Sequence, residues 1–114
     1  MDAKSHDLHA AYVSHVSHIT SFVLGSTVLE KERSDNAITA MAGGGFESTV
    51  RLAKSSPEMW SQIFEQNPEN IVEVLNTYID KITTFRDKIK EGDFDYLKQF
   101  MADANGITKI LNNK

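Results

Sequence analysis

Four histidines, a run of three glycines, one arginine and the only tryptophan are the groups in this 114-residue chain most able to do chemistry or hold a ligand. His6, His9, His15 and His18 are close enough to share one helix. At about 100° per residue, His6 and His9 face one side and His15 and His18 the opposite side. Each pair, three residues apart, could share a site, but the four together could not. Zinc takes three or four ligands of this kind, and neither pair has a third in the sequence. Hydrogen-bonded or solvent-facing histidines are the plainer reading, and no metal is expected.

Gly43-Gly44-Gly45 fails the test for a phosphate cradle. No strand precedes it, and neither a spaced G-x-G-x-x-G nor the Lys-Ser/Thr ending of a P-loop is present. Two readings stay open. One is a tight turn between helices. The other is a backbone free of side chains, able to take positive φ, beside a helix start near Phe46 whose dipole end would suit a carboxylate. Arg51 lies six residues beyond Gly45, about 9 Å up that helix. Its fork of donors can grip a carboxylate in two parallel bonds, or it can be a solvated surface residue. Trp60 reads either as core or as a platform for a ligand.

The elements that must position these groups are helical almost throughout. Both prolines follow a capping residue, in Ser56-Pro57 and Asn67-Pro68, and mark helix starts. Gly92-Asp93 ends one helix and caps the next. Ile71, Leu75, Tyr78, Ile82, Phe85 and Ile89 recur at steps of four and three, a stripe suited to an antiparallel neighbour or a second chain. Val72, Val74 and Ile79 widen it. A first long helix is expected from about Ser5 to Leu29, with Leu8, Tyr12, Val16, Ile19 and Val23 on one side and Gly25 as a bend or end. A short helix ending at Ala42, two to three turns over 46–54, a similar length over 57–66 and a last helix over 94–111 complete the pattern. That last helix carries Leu97, Phe100, Met101 and Ile110. No segment alternates as a strand would, so an all-α fold of about six helices in one domain, residues 1–114, is expected.

Composition bounds the function. Forty per cent hydrophobic and 25% charged residues suit a folded globular domain. A net charge of −4 with scattered Lys and Arg argues against nucleic acid. With no cysteine, disulfides and thiolate chemistry are excluded. No apolar run is long enough to span a membrane, and the N-terminus lacks a signal-type apolar region. The cytoplasm is the default location. Met1-Asp2-Ala3-Lys4 suits a natural start as well as a chain cut from something longer.

Three motifs in order carry a family resemblance: His6-Asp7 with Ala11, Val13, Ser14, His15 and His18; Gly43 to Phe46 with Arg51; and Ser56, Met59 and Trp60. Together they resemble the C-terminal helical domain of prephenate dehydrogenases, with the strong matches between residues 6 and 60. The resemblance implies an intertwined homodimer that supplies part of a pocket for prephenate or tyrosine. It also implies a separate N-terminal Rossmann domain that binds NAD or NADP and carries the catalytic histidine. No catalytic residue and no cofactor site are expected in these 114 residues, and the chain alone is expected to be inactive.

By the same resemblance, Arg51 grips a substrate carboxylate and His18 takes part in ligand binding and tyrosine feedback. Trp60 reaches the pocket of the partner subunit, and Gly44 lies in the turn beside the ligand's side chain. His15 and His6 match family positions without a firm role; on a continuous helix His6 lies roughly 18 Å from His18. Ser48 departs from the pattern, since many members have an acidic residue there, and Glu47 next to it points about 100° away. Three other readings remain: an arogenate dehydrogenase domain, a free-standing helical dimer that senses tyrosine, and a structural dimer with no ligand.

Overall fold

The computed structural model describes residues 1–113; Lys114, the last residue of the expected domain, lies outside the described residues. Every regular element among the described residues is helical. They are α1 (Ala3–Ala10), a π turn (Ala11–His15), α2 (Val16–Glu32), a 3-10 turn (Ile38–Met41), α3 (Gly44–Val50), a second 3-10 turn (Arg51–Lys54), α4 (Pro57–Glu65), α5 (Pro68–Glu91), α6 (Phe94–Ala104) and α7 (Gly106–Asn112). The backbone stays right-handed helical from α1 through the π turn into α2, so these form one rod. The all-α expectation of about six helices holds. The chain divides into two compact units, residues 1–75 and residues from Asn76 onward.

In the first unit, the Asp2 side chain accepts the Ser5 N–H at 2.8 Å and starts the long rod. The rod continues to Glu32, so Gly25 neither ends nor breaks it. The π turn changes its register: the Val16 N–H bonds to the Ala11 carbonyl, five residues back. Ala11, Val16 and Ile19 consequently share the core face, where Ile71 and Val74 are buried and Phe64 and Leu75 pack. The expected stripe of Leu8, Tyr12, Val16, Ile19 and Val23 is only half right. Leu8, Tyr12 and Val23 are exposed; a constant 100° step from Tyr12 to Val16 does not survive the π turn, and Val23 lies further along α2 than Ile19, the last α2 residue of the cluster. Burying Ile71 and Val74 contributes about 1.5–3 kcal/mol each.

The expected helix over 46–54 is split. α3 starts earlier, at Gly44, and gives way at Val50 to the 3-10 turn that begins with Arg51. Such tightening is common at helix ends, and here the Ser21 hydroxyl binds the Thr49 carbonyl from outside at 2.7 Å. α4 begins as expected, with Ser56 accepting the Met59 N–H and Pro57 in the first turn.

In the second unit, Gly92 at φ 75° closes α5. Its N–H reaches the Ile89 carbonyl at 3.1 Å while the Asp93 N–H reaches Lys88 at 2.9 Å, the paired bonds of a Schellman end. Asp93 then caps α6 through the Tyr96 N–H. The expected single helix over 94–111 divides at Asn105-Gly106, two weak helix formers. Leu97 is buried, and Phe85 meets Phe100 edge to face at 5.6 Å. Tyr78, Ile82, Phe85, Ile89, Phe100 and the stem of Lys81 line an open apolar groove of about 650 Å³.

Candidate functional site

The first unit gathers His15, His18, Trp60, Phe64 and Asn67 into one aromatic and polar cluster. α4 is set by its Ser56-Pro57 start, and it presents Trp60 and, one turn on, Phe64 toward the long rod. The imidazole of His18 lies flat on the Trp60 indole, with ring centroids 3.6 Å apart and planes 21° from parallel. His15 meets Trp60 edge-on at 6.2 Å and Phe64 edge-on at 6.4 Å. Trp60 and Phe64 are themselves 5.7 Å apart. The edge-on contacts of His15 are of the kind favoured between aromatic rings, where the positive edge of one meets the negative face of the other.

Hydrogen bonds orient both histidines. His18 Nδ1 stands 3.1 Å from the Ser14 carbonyl. A carbonyl only accepts, so Nδ1 carries the proton and donates, leaving Nε2 as the free nitrogen. His15 is held the other way round. The Asn67 Nδ2 donates to the Asp7 carbonyl at 2.7 Å and lies 3.3 Å from His15 Nδ1, while its Oδ1 accepts from the Asn70 Nδ2 at 2.9 Å. Asn67 is 7% exposed and its amide is satisfied on both ends. The helix start expected at Asn67-Pro68 is present, but the Asn67 side chain reaches across to the first rod.

Burial beside these rings pushes the His15 pKa below the ordinary 6.5. The Asp7 carboxylate opposes that shift, and His18 and His6 add to it. His6 is exposed and sits 3.6 Å from the Asp7 carboxylate, outside the ring cluster. Among the described residues, no group of three or more His, Asp or Glu is arranged to hold a metal ion.

Arg51 opens the 3-10 turn after α3, is exposed, and is used by none of the ion pairs among the described residues. That leaves its guanidinium available to an anion. Its backbone is tied to the histidine face of α2: Ser21, three residues after His18, is buried and holds the Thr49 carbonyl, two residues before Arg51. One turn further, Gly25 lets Ala53 approach; a Cβ on Gly25 would stand 3.5 Å from the Ala53 Cβ. The helix that bears His18 is therefore tied to the turn that bears Arg51 at two points, Ser21–Thr49 and Gly25–Ala53.

The glycine run does not use the positive φ that its composition permits. Gly43 is extended, with φ −120°, and Gly44 and Gly45 are already in α3. A 3-10 turn precedes the run, so it is not a strand–loop–helix nucleotide loop. Gly44 and Ser48 are exposed on α3. Sequence reasoning missed Ser21, Phe64 and Asn67 as site-forming residues. Small residues at 14, 21 and 25 on one helix face were a signal of close approach; the reach of Asn67 across some sixty positions left none.

The comparisons agree with this architecture. A family model described as "Prephenate dehydrogenase, dimerization domain" matches residues 2–103. The chain belongs to that family of helical dimerization domains. A cyclohexadienyl dehydrogenase of Zymomonas mobilis is 28% identical over 105 residues, covering 91% of this chain and 36% of the relative. A prephenate dehydrogenase of Bacillus subtilis is 30% identical over 107 residues, 91% of this chain and 28% of its own length. Another, of Lactococcus lactis subsp. cremoris, is 25% identical over 111 residues, 97% and 31% respectively. The chain thus spans about a third of the curated relatives it matches. No helix among the described residues is long and apolar enough to cross a membrane.

Proposed function

We propose that this chain is the dimerisation and substrate-binding domain of a prephenate dehydrogenase, and that its two compact units work as one domain. The supporting observation is that two of the family motifs pack together and the third is tied to the same helix. His15 and His18 pack on Trp60, and Ser21 couples their helix to the turn bearing the unpaired Arg51. Arg51 binds a ligand carboxylate as a bidentate donor. Trp60 gives a flat wall against the ring, His18 a polar nitrogen beside it, and Gly44 a first turn of α3 without side-chain bulk.

The reaction of the whole enzyme removes hydride from prephenate, and loss of carbon dioxide aromatises the ring to 4-hydroxyphenylpyruvate in tyrosine biosynthesis. NAD or NADP, bound by a Rossmann domain outside this chain, would accept that hydride. That domain also carries the proton-accepting histidine. The part played here is to hold and orient the substrate, so the isolated chain binds weakly and does not turn over.

Titration of tyrosine and of prephenate into the 114-residue chain tests the reading. Saturable binding lost in Arg51→Ala and weakened in Arg51→Lys supports it; binding indifferent to Arg51 refutes it. A mixed dimer of Arg51→Ala and Trp60→Ala chains locates Trp60. If Trp60 serves the partner's pocket, one pocket of the mixed dimer is intact and binds; if it serves its own, neither does.

The Zymomonas relative's name gives a cyclohexadienyl ring and leaves its side chain unstated. Arogenate, with an amino group in place of the keto group, is therefore the second reading. Comparing the two substrates in the same titration separates them.

A further inference from the structure

We propose that Asn67 is a positioning residue for this pocket: it locks His15 as the neutral tautomer with its proton on Nε2, so that His15 meets a ligand as a hydrogen-bond donor. The role in ligand binding rests on the function proposed above; the lock itself rests on geometry alone.

The amide of Asn67 has only one workable orientation. An oxygen placed where Nδ2 lies would face the Asp7 carbonyl oxygen at 2.7 Å, two acceptors in contact. With Nδ2 there, one hydrogen goes to Asp7 and the other points at His15 Nδ1. Asn70 holds the remaining Oδ1 from the opposite side. A proton on His15 Nδ1 would meet the Asn67 hydrogen head-on, so Nδ1 must be the bare nitrogen and Nε2 the N–H. His18, with its proton on Nδ1 toward Ser14, takes the opposite tautomer. Two histidines three residues apart thus turn unlike nitrogens away from their anchors, a donor on His15 and an acceptor on neutral His18. Nothing in the identities of these residues would separate them; the difference comes from Asn67.

The lock also sets when His15 can charge. Protonation puts a hydrogen on Nδ1 and breaks the Asn67 contact. The ionisable groups facing His15 are Asp7, which favours the charged ring, and His18 and His6, which oppose it. The packed faces of α4 and α5 add Trp60, Phe64, Asn67 and Asn70, all uncharged.

Two-bond nitrogen–proton NMR of histidine-labelled chain reads the tautomer directly. Wild type is expected to show His15 bare at Nδ1 and protonated at Nε2. Asn67→Asp keeps the shape but exchanges donors for acceptors; it should move the proton to Nδ1, raise the His15 pKa and weaken tyrosine binding about tenfold, the loss of one good hydrogen bond. An Nδ1–H tautomer in wild type, or an unchanged tautomer and pKa in Asn67→Asp, overturns the lock. A changed tautomer with tyrosine binding unchanged overturns the positioning role. If Asn67→Asp does not fold, Asn67→Ala removes the donor facing His15 Nδ1 and should give a mixture of tautomers; a pure wild-type signal there also counts against the lock. Wild type that binds no tyrosine while showing the expected tautomers would defeat the function proposed above and leave the lock standing.

Discussion

The Ser21 hydroxyl donates to the Thr49 carbonyl at 2.7 Å, joining residues 28 positions apart. Ser21 is 3% exposed, so this bond is made away from water. It holds the last carbonyls of α3 just where the chain tightens into the turn that begins with Arg51. The contact links α2, which bears His18 one turn earlier, to the turn bearing Arg51, whose side chain joins none of the ion pairs among the described residues. Ser21→Ala should therefore lower stability by about 1 kcal/mol, readable in denaturant melts. It should also weaken binding of an aromatic acid, although Ser21 would touch no ligand. Full affinity in a folded Ser21→Ala chain would show that Arg51 is positioned by something else.

Gly25 lies one turn beyond Ser21 on the same face. An added methyl would stand at ordinary contact distance from Ala53, while glycine inside a helix costs roughly 0.5–1 kcal/mol relative to alanine. Gly25→Ala should accordingly be neutral or stabilising by up to about that amount. Gly25→Leu should cost about 1–3 kcal/mol, because a side chain longer than a methyl must push the 3-10 turn away. Equal melting temperatures for the two variants would mean that α2 and the turn separate readily in solution.

His15 makes stability fall in acid. Its folded pKa lies below the ordinary 6.5, so in the window beneath 6.5 the unfolded chain binds the extra proton and folding loses free energy. The contribution is complete above that window and disappears as pH falls through the folded value. Melting temperatures from pH 8 to 5 should drop for wild type, and by less for His15→Gln. That difference isolates His15 from His6, His9 and His18, which are present in both chains. Parallel profiles would remove His15 as the cause.

Much of this was legible in the sequence, and the exceptions share a cause. Helix starts at Ser56-Pro57, Asn67-Pro68 and Asp93, and the end at Gly92, are local events, written in residues that touch one another along the chain. Motifs near 15–18, 43–51 and 60 could be read because a resemblance ties them together. The π turn was not legible. Its extra residue shifts the face that follows it, so that Val16 and Ile19 share the core face with Ala11 rather than with Tyr12. Nothing in Ala11-Tyr12-Val13-Ser14-His15 announces a π turn, a rare element found mostly as a single turn inside an α-helix. The partnership of Asn67 with His15 spans 52 positions and arises only once α5 has docked.

Self-association is the last expectation to test, and the second unit offers the surface. Of the stripe seen in the sequence, Ile71 is buried in the first unit, whereas Tyr78, Ile82 and Ile89 remain 41–55% exposed along the groove. The family description, a dimerization domain, supports self-association, and an exposed apolar face is what a second copy of the chain would cover. Across a two-fold interface each substitution acts twice. Ile82→Asp removes an apolar side chain worth about 2 kcal/mol from each copy, so the dissociation constant should rise about a thousandfold. Because Ile82 is already 55% exposed in the single chain, the variant monomer should keep its helical content by circular dichroism. Sedimentation at micromolar concentration should then show a dimer for wild type and a monomer for Ile82→Asp. A wild-type monomer would contradict dimerisation by this chain alone, and a dimer that survives the aspartate would move the interface to another face.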